Sequence, residues 1–154
     1  MAACTTVPPD EPAPGAARTT PPYADAGRIL GAQAGTVAMS GACARAFPEL
    51  APSIEQALAA WRWRNDALAF EVNDAMWRAV QAQGADAGEI AAASRALAGE
   101  LARIRAEVAD GFDRWAPARK RGLCGTWAER LAVGDEDLSR RYPHELKRWH
   151  PAMR

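Results

Sequence analysis

The sequence has 154 residues, a formal net charge of zero and 49% hydrophobic residues. A chain of this length forms one domain and can bury a core without the help of a metal. Balanced charge argues against strong non-specific attraction to nucleic acid or to an anionic membrane, because both attractions grow with excess positive charge.

Residues 5–22 contain six prolines, separated mainly by Thr and Ala. Proline lacks a backbone N–H and fixes φ, so this stretch cannot form a regular helix or a strand ladder. We therefore expect residues 1–23 to be a disordered Pro-rich tail or tether. Residues 24–154 are expected to form a single helical domain.

The first four residues are Met1-Ala2-Ala3-Cys4, directly ahead of the Pro-rich stretch. Small residues followed by Cys and then a spacer resemble the end of a bacterial lipoprotein signal. That resemblance implies a lipid on Cys4, which would be the only route to a membrane. The alternative is a misassigned start ahead of a disordered tail.

The other two cysteines fall on apolar sides of two expected helices. A bridge between Cys43 and Cys124 leaves Cys4 as the odd thiol. Such a disulfide persists in an oxidising compartment, which predicts a periplasmic or outer-membrane-anchored protein of the bacterial envelope. The alternative is a pair of buried free thiols in a cytosolic protein.

Helix 1 is expected over residues 24–46. Gly27, Gly31 and Gly35 recur every fourth residue on one side of it. This row either permits a close approach of another helix or marks a frayed segment, since each Gly weakens a helix by about 1 kcal/mol relative to Ala.

Helix 2 is expected to begin at Ser53, where Ser53 and Gln56 form a capping-box pattern, and to continue to about Gln83. Its main apolar stripe includes Asn65, for which we expect a structural, hydrogen-bonded role in the core. Trp63, Phe70 and Trp77 form a second stripe on the opposite side. The second stripe is either a further packing face or an exposed partner site.

Helix 3 is expected from near Asp86 to Ala116, with a capping box of Asp86 and Glu89 and two apolar heptad series. Because the connection is short, helices 2 and 3 should form a long antiparallel hairpin. Two further helices are expected over residues 117–133 and 143–149. The fold class is thus all-α and four-helix-bundle-like, with helices 1 and 4 as a disulfide-tied outer pair.

The sequence shows no metal-ligand, phosphate-loop or nucleophile motif, so neither a cofactor nor a metal is expected. Glu71 and Asp74 stand near the second stripe and could act as an acid and a base on a cell-wall glycan. The favoured hypothesis is a non-enzymatic exported module that binds another protein, such as an inhibitor or immunity-type protein. A structural or self-associating envelope protein is the alternative, and a nucleic-acid partner is not expected.

Overall fold

The computed structural model describes residues 23–149, and the regular structure in this range is entirely helical, which confirms the all-α fold class. Cys4 and nearly all of the Pro-rich tail lie outside the described residues. Six α-helices follow one another, with a 3₁₀ turn at Pro48–Leu50 between the first two. They are α1 (Ala24–Ala46), α2 (Ala51–Ala82), α3 (Ala87–Arg114), α4 (Pro117–Ala132), α5 (Leu138–Arg141) and α6 (Pro143–Trp149).

The two expected capping boxes have different outcomes. At the start of α3 the Asp86 side chain accepts a hydrogen bond from the Glu89 backbone N–H at 2.8 Å. The Glu89 carboxylate in turn accepts one from the Asp86 backbone N–H. The box at Ser53 is wrong, because α2 already begins at Ala51 and the Ser53 hydroxyl donates to the Leu50 carbonyl. Pro52 in the first turn needs no hydrogen-bond partner, so the helix can begin ahead of Ser53.

Helix α1 lies at the centre of the domain. It packs extensively against both α2 and α3, whereas α2 and α3 contact each other far less. The expected position of helix 1 on the outside is therefore wrong, and the two arms of the expected helix 2–helix 3 hairpin pack against α1 more than against each other. Helix α4 packs mainly on α2 and only slightly on α1.

The glycine row of α1 explains why α3 packs there. A Cβ added at Gly31 would lie 3.0 Å from Cδ1 of Ile104, and one at Gly35 would lie 3.8 Å from Cγ2 of Val108. The absence of side chains at these positions lets the apolar stripe of α3 approach the α1 backbone. Of the two roles considered for the row, close helix packing is the one observed for Gly31 and Gly35.

The disulfide between Cys43 and Cys124 is present and joins the end of α1 to the middle of α4, with a Cα–Cα distance of 5.4 Å. Both residues are buried in the core. Nearby, the buried Trp127 indole donates to the Ser40 hydroxyl at 2.9 Å. An intramolecular disulfide indicates an oxidising, non-cytoplasmic compartment.

None of the helices within residues 23–149 combines the length and the apolar character needed to cross a membrane.

Candidate protein-binding surface

Helix α2 is fixed to the domain along one side only. Its buried residues recur at helical spacing and face α1, α4 and α6; they are Ile54, Ala57, Trp61, Asn65, Ala69, Val72 and Met76. At 100° per residue these positions cluster on one half of the helix. The opposite half therefore projects away from the core over residues 55–71.

That opposite half carries two large exposed rings. The exposed fraction is 89% for Trp63 and 70% for Phe70. Ala59 and Ala67 lie on the same side and are also exposed. We call the surface formed by Ala59, Trp63, Ala67 and Phe70 the aromatic face of α2.

Trp77 does not belong to this surface, although it continues the spacing of seven. It is half-buried, and its indole N–H donates to Oδ1 of Asn73 at 3.1 Å. Its ring lines an apolar cleft of about 300 Å³ together with Tyr23 of the α1 entry and Leu97 of α3. The stripe thus divides because Tyr23 and Leu97 lie beside Trp77, whereas Trp63 projects from the domain.

Charged residues border the aromatic face on one flank. Arg62 and Asp66 line a shallow depression beside Trp63, with the two alanines as its floor. Asp66 is held in place by Gln33 of α1, whose amide donates to Oδ1 at 2.8 Å. Arg62 makes no ion pair within residues 23–149. The face therefore has an apolar centre and a rim that carries both signs of charge.

Asn65 holds α2 against the domain through hydrogen bonds on the buried side of the helix. Its amide nitrogen donates to the Trp61 carbonyl at 2.8 Å and to Oδ1 of Asp137 at 3.0 Å, and its amide oxygen accepts the Leu138 backbone N–H at 2.8 Å. Arg64 adds a second link between α2 and this turn, through an ion pair with Asp137 at 3.0 Å. Asn65 thus joins α2 to the turn between α4 and α5.

The same turn contains a buried carboxylate, Glu136. Arg130 and Arg141 each pair with one of its oxygens. Its backbone carbonyl accepts the Trp61 indole N–H at 3.0 Å. Burying a carboxylate is costly unless it is paired and hydrogen-bonded, and two guanidinium groups pair with this one. The turn is therefore a rigid support for α2.

Glu71 and Asp74, the candidate acid and base, lie on the surface of α2. Glu71 is exposed, and Asp74 forms an ion pair with Arg78 at 3.0 Å, one helical turn away. An acid–base role needs both carboxylates to converge on a cleft that binds a substrate. The pairing of Asp74 with Arg78 is instead the i,i+4 contact that is typical of solvated helix surfaces.

Two other surface carboxyl groups have a lowered pKa. The pKa of Glu49 is lowered by a backbone hydrogen bond and by Arg121, which donates to it at 2.5 Å. The pKa of Glu100 is lowered because Arg103 donates a hydrogen bond to it, and the same pairing raises the pKa of Arg103. Both carboxyls therefore stay ionised at neutral pH, as members of surface ion pairs.

No cluster of three or more His, Cys, Asp or Glu side chains within the described range is arranged to hold a metal ion.

Sequence reasoning missed the alanines and the charged rim of the aromatic face. Ala59, Ala60 and Ala67 share a side of the helix with Trp63, but alanine is so common in this chain that the pattern carried little signal. It also missed Asp137 and Glu136. The sequence feature that could have pointed to them is Gly134, because a glycine with a positive φ, here 79°, ends α4 and forms the turn that carries both carboxylates.

Comparison with known proteins finds no family model, no curated protein and no solved structure that matches this chain.

Proposed function

We propose that this chain is a non-enzymatic binding module that binds a protein partner through the aromatic face of α2. The observation that carries the proposal is the exposure of Trp63 and Phe70 on the side of α2 that faces away from the core. Burying one such ring is favourable by roughly 1.5–3 kcal/mol. The isolated domain lacks this stabilisation at both positions, because both rings stay in water. A partner that covers both rings would recover it.

The surroundings of the two rings support recognition by a protein. Trp is among the residues most often found to dominate the energy of protein interfaces, in a patch surrounded by polar residues. The aromatic face has this composition, with Arg62 and Asp66 at its edge. The spacing of Trp63, Ala67 and Phe70 also matches the i, i+4, i+7 anchors by which a helix enters a groove.

The cellular setting we propose is the bacterial envelope. The disulfide supports an oxidising compartment, and the sequence around Cys4 supports a lipid anchor followed by a Pro-rich tether. A rigid helical domain held in the periplasm by such a tether suits an inhibitor or immunity-type protein. This class is proposed by general analogy, from the combination of a disulfide-linked helical domain and a tether.

Site-specific photo-cross-linking tests the proposal. A photoreactive residue at Ala67, in the centre of the aromatic face, should form a stoichiometric adduct with one protein in an envelope extract. The matched control carries the same residue at Ala98, which is also exposed but lies on α3. Combining the Ala67 probe with Trp63→Ala and Phe70→Ala should abolish the adduct. Equal labelling from both positions, or an adduct that survives the double substitution, would contradict the proposal.

A further inference from the structure

We propose that the partner of the aromatic face is a second copy of this chain. Two α2 helices would pack antiparallel about a two-fold axis at the level of residue 65. This inference rests on the proposed function, because it requires the aromatic face to be a protein-binding surface. It names the occupant of that surface and the register of the contact.

The aromatic face and the adjacent Ala60 are together sterically self-complementary. Ala60 and Ala67 lie on the same side of α2 as Trp63 and Phe70, and all four are exposed. The pair Trp63 and Ala67 and the pair Ala60 and Phe70 share one midpoint, position 65. A single antiparallel register therefore sets each ring of one copy opposite an alanine of the other. Large residues opposite small ones are what close helix packing requires.

The two-fold symmetry repeats each of these contacts. Trp63 of each copy would enter the depression beside Ala67 of the other, and this depression is already present in the single chain. A two-fold interface uses the same patch on both subunits, so the patch must be complementary to itself. The aromatic face meets that condition without rearrangement of its backbone.

The charged flank of the aromatic face is also self-complementary. In an antiparallel two-fold pair, each flank of a helix meets the same flank of its partner. Arg62 and Asp66 lie on one flank, and their midpoint, position 64, is one residue from the axis. Arg62 of each copy would thus lie beside Asp66 of the other. Asp66 accepts one hydrogen bond from Gln33, which leaves it free to accept more.

Contact between two aromatic faces would bury enough area for a small stable interface. Aromatic side chains bury roughly 150–250 Å² each, so the four rings would contribute about 600–1,000 Å². Stable protein interfaces bury about 1,200–2,000 Å² in total. Residues 55–71 span about 24 Å of helix, and the alanines and polar residues around the rings supply the remainder. The expected contact is at the small end of stable interfaces, with a dissociation constant on the order of micromolar.

Sedimentation of the full chain tests the inference, in a Cys4→Ser background that removes the thiol able to link two copies covalently. The parent should be a dimer at about 100 µM, well above a dissociation constant on the order of micromolar. The Trp63→Ala, Phe70→Ala variant should be a monomer. Because both side chains are exposed, circular dichroism should show unchanged helicity.

A charge swap tests the register. Arg62→Glu should weaken association at least tenfold, because it sets two carboxylates against each other on both sides of the axis. Adding Asp66→Arg should restore association to within about threefold of the parent by recreating the pair in the opposite sense. The matched control is Arg95→Glu, an equal change of charge at an exposed position of α3, which should leave association unchanged.

The outcomes separate this inference from the proposed function. A parent that remains monomeric at millimolar concentration overturns the second copy as partner. So does a dimer that survives the double aromatic substitution, or one that the added Asp66→Arg fails to restore. If the Ala67 probe then captures a different protein, the binding function stands with another occupant. If that probe also captures nothing, both proposals fail.

Discussion

At the scale of single residues, Asn65 does the most to position the aromatic face. Both of its amide hydrogens and its oxygen are used in bonds to Trp61, Asp137 and Leu138. Two of these partners lie more than 70 positions further along the chain. One buried side chain therefore determines how α2 is seated against the α4–α5 turn.

Replacing Asn65 with Ala should lower the free energy of unfolding by about 3 kcal/mol. The substitution leaves the buried Leu138 N–H without its partner, which costs roughly 1–3 kcal/mol, and removes the Asn65 bond to Oδ1 of Asp137, which keeps only its contact with Arg64. Urea unfolding followed by circular dichroism measures the change. Asn73→Ala is the matched control, because within residues 23–149 the Asn73 side chain bonds to the half-buried Trp77 indole and to no backbone group of a distant turn. An equal loss of unfolding free energy in the two variants would contradict the role of Asn65 in holding α2 against the α4–α5 turn.

The position of Asn65 on the apolar stripe could be read from helical spacing, and so could its need for hydrogen bonds. Its partners could not, because helical spacing relates residues a few positions apart and Asp137 belongs to a distant turn. The same limit applies to Trp63 and Trp77. They share one side of α2, and Trp77 alone is half-buried because Tyr23 and Leu97, which are distant in sequence, lie beside it.

At the scale of helices, α3 is attached almost entirely through α1. Its single buried residue is Phe112, near its end, and the rest of its apolar stripe is at most half-buried. The heptad pattern of α3 correctly identified the residues that face the domain. It could not identify the partner helix, because the missing side chains of Gly31 and Gly35 bring α1 closer than α2.

Filling the glycine row should separate α1 from α3. Gly31→Leu should lower the melting temperature by several degrees, because a Cβ alone already lies 3.0 Å from Ile104 and the added atoms have no space. Gly27→Ala is the matched control, since a Cβ there meets nothing within 4 Å. It should stabilise the domain by about 0.5–1 kcal/mol through reduced backbone freedom. Equal melting temperatures for the two variants would contradict close packing at Gly31.

At the scale of the whole molecule, the disulfide links the central helix to α4. The bridge was predicted from cysteine count and helix faces, and its two ends were correctly placed. The expectation that it ties two outer helices was wrong, because α1 contacts both α2 and α3. Loss of the disulfide should therefore weaken the entire domain, because α2 and α3 do not form a unit that is independent of α1.

Replacing both Cys43 and Cys124 with Ala should lower the free energy of unfolding by about 4 kcal/mol. The bridge closes a loop across a sequence separation of 81, and a loop of that length strongly restricts the unfolded chain. Hydrogen exchange should show reduced protection in α1, α2 and α3 together. Full retention of protection in α2 and α3 would contradict this single cooperative unit.

The long loop of the disulfide also has a consequence for folding during export. Cys43 is synthesised well before Cys124, and until α4 arrives the only other thiol in this chain is Cys4. The loop from Cys4 to Cys43 is about half as long as the native one, so its closure is favoured roughly threefold on chain entropy alone. Early oxidation would therefore trap a wrong pair. A lipid on the sulfur of Cys4 would remove that competitor, so that the same modification would both anchor the protein and protect the pairing of its core.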